Sequence, residues 1–311
     1  MLRAMRARLL AAFAAVYLVW GSTYLAIRFA VETLPPLTMA GTRFLIAGGI
    51  LLLWARYHEG SRWPSGRDWA TGLVSGALLL LGGNGAVVWA EQRVPSGITA
   101  LLVAVVPVWM VVLDWLAPGG RRPAPLVFVG LGLGMLGLGL LVGPDALRGG
   151  GDIDVVGAAV LVLGSLSWAI GSLYTQRAPR PSSGTTGSGA QMFAGGLCLL
   201  LVALASGEGT RLDLAHATTR SLLGFGYLVT FGSLIVFTAY YYLLSHTTAA
   251  KAATYAYVNP VVAVLLGWAF ANEPVTPRTV VAAAVILAGV AIITVTRDAR
   301  VRLPDAERAA A

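Results

Sequence analysis

The sequence predicts an all-α integral membrane protein with ten transmembrane helices, built as two inverted five-helix repeats. Three observations carry this expectation. The chain of 311 residues is 57% hydrophobic and 12% charged, with a mean hydropathy of +0.76, too apolar for a water-soluble domain of this size. Ten apolar runs meet or approach the roughly 20 helical residues needed to cross a hydrocarbon core of about 30 Å. The two halves also match. A shift of 153 pairs Pro107 with Pro260 and Trp115 with Trp268, a shift of 150 pairs Gly21, Ser22 and Tyr24 with Gly171, Ser172 and Tyr174, and a shift of 152 pairs Gly137 with Gly289.

The first helix is expected over 9–31. The preceding MLRAMRAR has the charge order of a signal peptide, but the apolar run is too long and WGSTY offers no convincing cleavage site, so it reads as a retained helix. The second helix is expected over 37–55 and the third over 69–90, with Trp54, Trp63 and Trp69 placed as interfacial aromatics near their ends. The fourth, 95–116, contains Pro107. The fifth, 124–143, is glycine-rich, and its GLGMLG matches a dinucleotide fingerprint in letters only, since it sits inside an apolar run rather than after a strand. Close helix packing through Gly130 and Gly134 is the expected cause. A turn-rich, acidic connector, GPDALRGGGDID, leads to the second set over 155–176, 190–206, 221–244, 247–270 and 277–296, with Pro260 in the ninth. RAPRPSSGTTGSGA, before the seventh helix, reads as a flexible linker. The continuous runs argue against a membrane barrel, which alternates polar and apolar residues.

The repeats therefore span 9–143 and 155–296, and because five is odd the second copy enters the membrane from the opposite face. The N-tail, the C-tail and the connectors on their side hold fourteen arginines against five on the other side. By the positive-inside rule both termini are expected in the cytoplasm. Net charge of +8 does not imply nucleic acid, because the cations lie in connectors rather than on a face beside aromatics. A single cysteine, Cys198, and scattered His58, His216 and His246 give no metal site, and no cofactor is implied. The expected partners are a small-molecule substrate and the lipid bilayer, and a monomer suffices.

YLVWGSTYLAIR in the first helix, PPLTMAGTRFLIAG in the second, GNGAVVWAEQRVPSGITALLVAVVPVW across the third and fourth, and TYAYVNPVVAVLLG in the ninth resemble the drug/metabolite transporter superfamily, specifically the EamA-type ten-helix carriers. The resemblance covers nearly the whole chain. It implies an inner-membrane carrier that moves small metabolites, often exporting amino acids, by alternating access. Asn272-Glu273 departs from the Gly-Glu common in that family.

Repeated halves with interrupted helices at corresponding places point to a binding site at their interface. Pro107 and Pro260 remove backbone donors opposite Val103 and Ala256, which makes them candidate hinges or static kinks. Trp20 with Tyr24, and Trp168 with Ser172, each lie one turn apart near mid-span, where an interfacial belt does not explain them. Tyr240, Tyr241, Tyr255 and Tyr257 extend a possible aromatic pocket suited to apolar or aromatic substrates. Asn84 and Asn259 are polar groups at depth that face either a cavity or a neighbouring helix. Lys251, the only lysine, binds a substrate anion or snorkels to the interface. Arg28 and Arg43 read as snorkelling or paired.

Carboxylates matter by their absence from helix centres: Glu32, Glu91 and Glu273 sit at outer ends and Asp114 near an inner one, so no proton relay is evident, and Glu91 and Asp114 remain weak candidates. The primary expectation is an inner-membrane exporter of amino acids, including aromatic ones. The alternative is a carrier of organic phosphates or nucleotide sugars through Lys251. An intramembrane enzyme would need matched acids, histidines or serines, which are missing, and a scaffold gives no reason for Asn84 and Asn259.

Overall fold

The computed structural model describes residues 2–117, 124–142, 154–179, 181–247 and 249–302. Ten helical segments follow one another: α1 (Leu2–Ala30), α2 (Pro36–Tyr57), α3 (Gly66–Ala90), α4 (Ser96–Leu116), α5 (Pro125–Val142), α6 (Val155–Arg177), α7 (Gly184–Ala205), α8 (Thr219–His246), α9 (Tyr255–Ala271) and α10 (Pro277–Arg302). Seven are long and apolar enough to cross a membrane, and Pro125–Leu141, Val258–Ala271 and Pro277–Ile293 are shorter apolar helices. Large apolar side chains such as Leu53, Met135, Leu163, Leu201 and Val281 point outward, which suits a lipid solvent. The face at which α1 begins is called proximal below, and the opposite face distal.

Most starts are written into the local sequence. Ser65 and Asp68 form a capping box on α3, Pro36 opens α2, and Asp154, Ser183 and Thr218 accept amide protons at the starts of α6, α7 and α8. Capping by Ser183 corrects the expected flexible linker: residues 184–190 form the first two turns of α7. Glycines are tolerated there because space is short. A Cβ on Gly189 would lie 3.0 Å from the Leu52 side chain, so small residues give close helix contact where larger ones would force separation.

The inverted repeat is visible in irregularities as well as in the count of helices. α3 widens into π-helical turns over Ala77–Asn84, and its counterpart α8 does so over Leu228–Ile235. α4 breaks at Ala104 and Val105, so Pro107 occupies the first turn of the following helix, where a missing N–H leaves no bond unmade. In the ninth span the break comes earlier: a short turn, Ala249–Ala252, precedes α9, and Pro260 lies inside the continuous helix.

Two carboxylates complete the duplication on opposite faces. Glu59, after α2, accepts from the Thr185 hydroxyl at the start of α7 (2.6 Å). Glu208, after α7, accepts from the Thr38 amide at the start of α2 (2.9 Å). Each acid sits at the positive end of the other copy's helix dipole. Glu273 repeats the device on the distal face, where its two oxygens accept from the Ser96 and Gly97 amides at the start of α4 (2.7 and 3.0 Å).

Two glycine seams join the copies. α2 and α7 share the sequence AGG at 47–49 and 194–196. A Cβ on Gly196 would fall 2.7 Å from the Leu45 nitrogen and 2.8 Å from the Gly41 oxygen. α5 meets α10 in the same manner, with Cβ positions on Gly130 and Gly289 each 2.7 Å from the other's carbonyl oxygen and that on Gly289 2.9 Å from the Gly134 nitrogen. The expected close packing holds against α10 at Gly130, where it is joined by Gly137, whose Cβ position lies 2.6 Å from the Ile286 side chain; a Cβ on Gly134 would meet only Val108 of α4, at 3.8 Å. Gly49, which aligns with Gly196, has nothing within 4 Å of its Cβ position. Gly196→Ala is therefore expected to destabilise the protein by about 1–3 kcal/mol through overpacking. Gly49→Ala should be neutral or stabilising by up to about 1 kcal/mol. Thermal unfolding of both variants in detergent checks the contrast, and equal midpoints would show that the seam relaxes.

Candidate functional site

A central cavity forms where α1, α2, α3, α6, α8 and α9 converge, with Val103 of α4 at its edge. It encloses about 570 Å³ of space free of atoms, part of it open to solvent. Six of the expected binding residues line it: Trp20 and Tyr24 from α1, Asn84 from α3, Trp168 from α6, and Tyr255 and Asn259 from α9. Both repeats contribute.

The proximal part of the wall is a cluster of rings. Trp20 lies 5.4 Å from Trp168, 4.9 Å from Tyr240 and 5.1 Å from Tyr255, centroid to centroid. Trp168 is 6.0 Å from Phe237, which packs 5.9 Å from Phe44. These are the edge-to-face and tilted arrangements that ring quadrupoles favour. Trp168 can approach because α3 is bare there: a Cβ on Gly83 would lie 2.8 Å from its ring. Ser167, next in sequence, donates to the Leu78 carbonyl at 2.8 Å, partnering an oxygen of the π-helical segment.

Hydrogen bonds fix the ring positions. Trp168 Nε1 donates to the Tyr240 hydroxyl (3.3 Å), which also bonds Ser172 Oγ (2.8 Å). Ser172 therefore stands behind the wall and orients it. Trp109 Nε1 donates to Ser165 Oγ at 3.0 Å, tying α4 to α6. Asn259 turns its amide to α1, and with its nitrogen toward the backbone it donates to the Val16 and Tyr17 carbonyls at 3.2 and 2.9 Å.

The distal part is charged and was not legible from the sequence. Arg43, expected to snorkel or pair, is only 2% exposed and lines the cavity. It lies seven residues into α2, too far from the helix start to reach water, and rests against the Phe44 ring with its guanidinium carbon 4.2 Å from the centroid. Its Nε and Nη1 have no hydrogen-bond partner, and neither does Asn84 Oδ1. Glu91, at the end of α3, is fully buried, and neither of its carboxylate oxygens makes a hydrogen bond. Arg28 is held instead by the Glu91 backbone carbonyl at 2.8 Å.

The other expected residues lie apart. Tyr241 lines a proximal cleft of about 1100 Å³ with Thr238, Tyr242, Gln176 and Glu59. Its neighbour Tyr240 is instead buried in the ring cluster, bonded to Trp168 and Ser172. Lys251 is exposed, in the short turn before α9, and lines neither space. Pro107 and Pro260 are buried, and the Tyr257 side chain is outside the described residues. Asp114 faces Arg177 at 3.5 Å. Among the described residues no cluster of histidine, cysteine and carboxylate has metal-binding geometry.

Tyr240→Phe tests the wall. It removes the hydroxyl that accepts from Trp168 Nε1 and bonds Ser172 Oγ and should cost about 1 kcal/mol, read as a lower unfolding midpoint in detergent. An unchanged midpoint would mean that this hydroxyl holds nothing in place.

The EamA-like transporter family model matches residues 7–143 and again 155–295. An Escherichia coli protein named uncharacterized inner membrane transporter YedA is 40% identical over 287 residues, covering 92% of this chain and 90% of that one. Protein PecM of Dickeya dadantii is 27% identical over 88% of each. A crystal structure with 18% identity, covering 93% of this chain and 98% of its own, superposes with a TM-score of 0.63 and shows the shared fold. The chain belongs to the EamA-like transporter family and is a membrane transporter of two inverted five-helix repeats.

Proposed function

We propose that the protein exports amino acids, including aromatic ones, across an inner membrane by alternating access through the central cavity. The observation that carries the reading is the ring-walled cavity at the junction of the repeats, with Trp20, Trp168, Phe237 and Tyr255 around a space bordered by Asn84 and Arg43. Such a wall suits a planar or branched apolar group, while the two polar residues suit a charged backbone. The names of relatives such as the YedA protein support the inner membrane. The arginine-rich proximal face would be cytoplasmic, with both termini on that side.

Access would alternate by relative movement of the repeats, with the breaks near Pro107 and before Pro260 as hinges. The central cavity and the proximal cleft would then be stages of one path, with α8 between them: it gives Phe237 to the cavity and Tyr241 to the proximal cleft.

Counterflow in proteoliposomes against a panel of amino acids, with and without a pH gradient, tests the reading. Phenylalanine, tryptophan or leucine should exchange. Transport of a sugar phosphate with no amino acid moved would sink it.

The alternative of an organic-phosphate or nucleotide-sugar carrier needs Lys251 at the substrate, whereas this residue is exposed outside the cavity lining. Lys251→Ala is expected to leave amino-acid counterflow within about twofold of the parent, consistent with a cation at the solvated rim. A loss of tenfold or more would favour the anion carrier.

A further inference from the structure

Arg43 is the one charged residue in the lining of the central cavity among the described residues. Burying a guanidinium without a direct partner is unfavourable by several kcal/mol, so such groups mark function when they face a cavity. The Arg43 Nε and Nη1 donors have no protein acceptor. The titratable groups that act on this region are Glu91 at the end of α3, Arg28 and Tyr24 from α1, and Glu273 from the α9–α10 connector. No ion pair within 4.0 Å joins Glu91 to Arg43 among the described residues. The Arg43 donors in the cavity wall therefore have no protein carboxylate on them.

The same wall offers one free acceptor, Asn84 Oδ1. Two unsatisfied guanidinium donors, an unsatisfied acceptor and a ring cluster set three requirements on an occupant. It must bring a planar anion, an N–H donor and an apolar body. A phosphate would bring the charge without the plane, and the lining holds no second cation to balance its second charge. A guanidinium binds a carboxylate through two parallel hydrogen bonds, which matches the planar fork of Arg43.

We propose that Arg43 holds the carboxylate of a zwitterionic amino acid, that Asn84 Oδ1 accepts from its ammonium group, and that its side chain packs against Trp20, Trp168 and Phe237. This rests on the amino-acid reading and specifies how the same site recognises its substrate. The substrate carboxylate supplies direct hydrogen bonds to guanidinium donors that no protein group meets. Arg43 is thereby a specificity-determining residue: it distinguishes an acid from its amide.

The test is competition in proteoliposomes that exchange labelled phenylalanine. Unlabelled phenylalanine is compared with phenylalaninamide, which lacks the carboxylate charge, and with 3-phenylpropionate, which lacks the ammonium group. In the parent protein phenylalanine should compete at least about tenfold better than the amide, the scale of a lost charge-assisted hydrogen-bond pair. Arg43→Gln should bring the two within about twofold, and Asn84→Ala should weaken phenylalanine several-fold while leaving 3-phenylpropionate unchanged. If Arg43→Gln fails to accumulate, Arg43→Lys decides: keeping the charge without the fork, it should lower the acid-over-amide preference several-fold. Equal competition by acid and amide in the parent, or full preference retained in Arg43→Gln or Arg43→Lys, overturns the assignment while the amino-acid reading stands. If no amino acid is exchanged, both fall together.

Discussion

Lipid cannot hydrogen-bond, so every polar group that this chain carries below the interface must find its partner inside the bundle. Much of the architecture follows from that constraint. Tyr17 on α1 bonds Thr254 before α9 (2.6 Å), Ser22 bonds Tyr227 on α8 (2.6 Å), and Trp109 on α4 bonds Ser165 on α6. These contacts connect helices distant in sequence and so specify which helices are neighbours, a role that apolar contacts perform poorly when the solvent is itself apolar. Where helix starts expose amides, a carboxylate from another element covers them, as Glu208 covers α2 and Glu273 covers α4. Of the residues lining the central cavity, Arg43 and Asn84 are the two that break the rule.

Apolar packing acts in a complementary way. The α2–α7 and α5–α10 seams bring backbones together at glycines, leaving little room for one helix to shift past the other. The irregular helices lie elsewhere. π-helical turns interrupt α3 and α8, and breaks interrupt the fourth and ninth spans. All four contribute to the cavity lining. Backbone irregularity is tolerable there because those segments are enclosed by protein rather than by lipid. A change of access that kept the two seams closed would draw on these four helices.

The fold is largely legible because its cause is composition: an apolar run of membrane length has few alternatives to a helix, and the pairing of Pro107 with Pro260 exposes the duplication. Tyr24, Asn84, Trp168 and Asn259 were legible as residues that no interfacial role explained at their depth. Arg43 was not, because a cation near a helix end ordinarily reaches water. Its burial depends on what α2 packs against, which the local sequence does not state. Tyr240 and Tyr241 are inseparable in one dimension, since the helical turn that buries one in the ring cluster and sends the other to the proximal cleft requires the bundle to be assembled. Residues 184–190 carry the composition of a linker, and only the closeness of α2 to α7 explains their use in a helix.

The duplication also explains why the cavity chemistry could not be read twice. Under the shift of 150 that aligns WGSTY with its copy, Trp20 corresponds to Ile170 and Trp168 to Leu18. Both counterparts are exposed on the outer surface, at 38% and 62%. Asn259 corresponds to Val106 under the proline shift of 153, and Val106 is buried away from the cavity lining. The glycine seams and the exchange of Glu59 and Glu208 are kept in both copies because they build a shared frame. The lining residues Trp20, Trp168 and Asn259 are not. A substrate without twofold symmetry gains nothing from a twofold-symmetric site, so each half supplies a different part: Arg43 and Asn84 from the first, Trp168, Tyr255 and Asn259 from the second. Such a site exists only while both halves meet, which ties recognition of the substrate to the relative position of the two repeats.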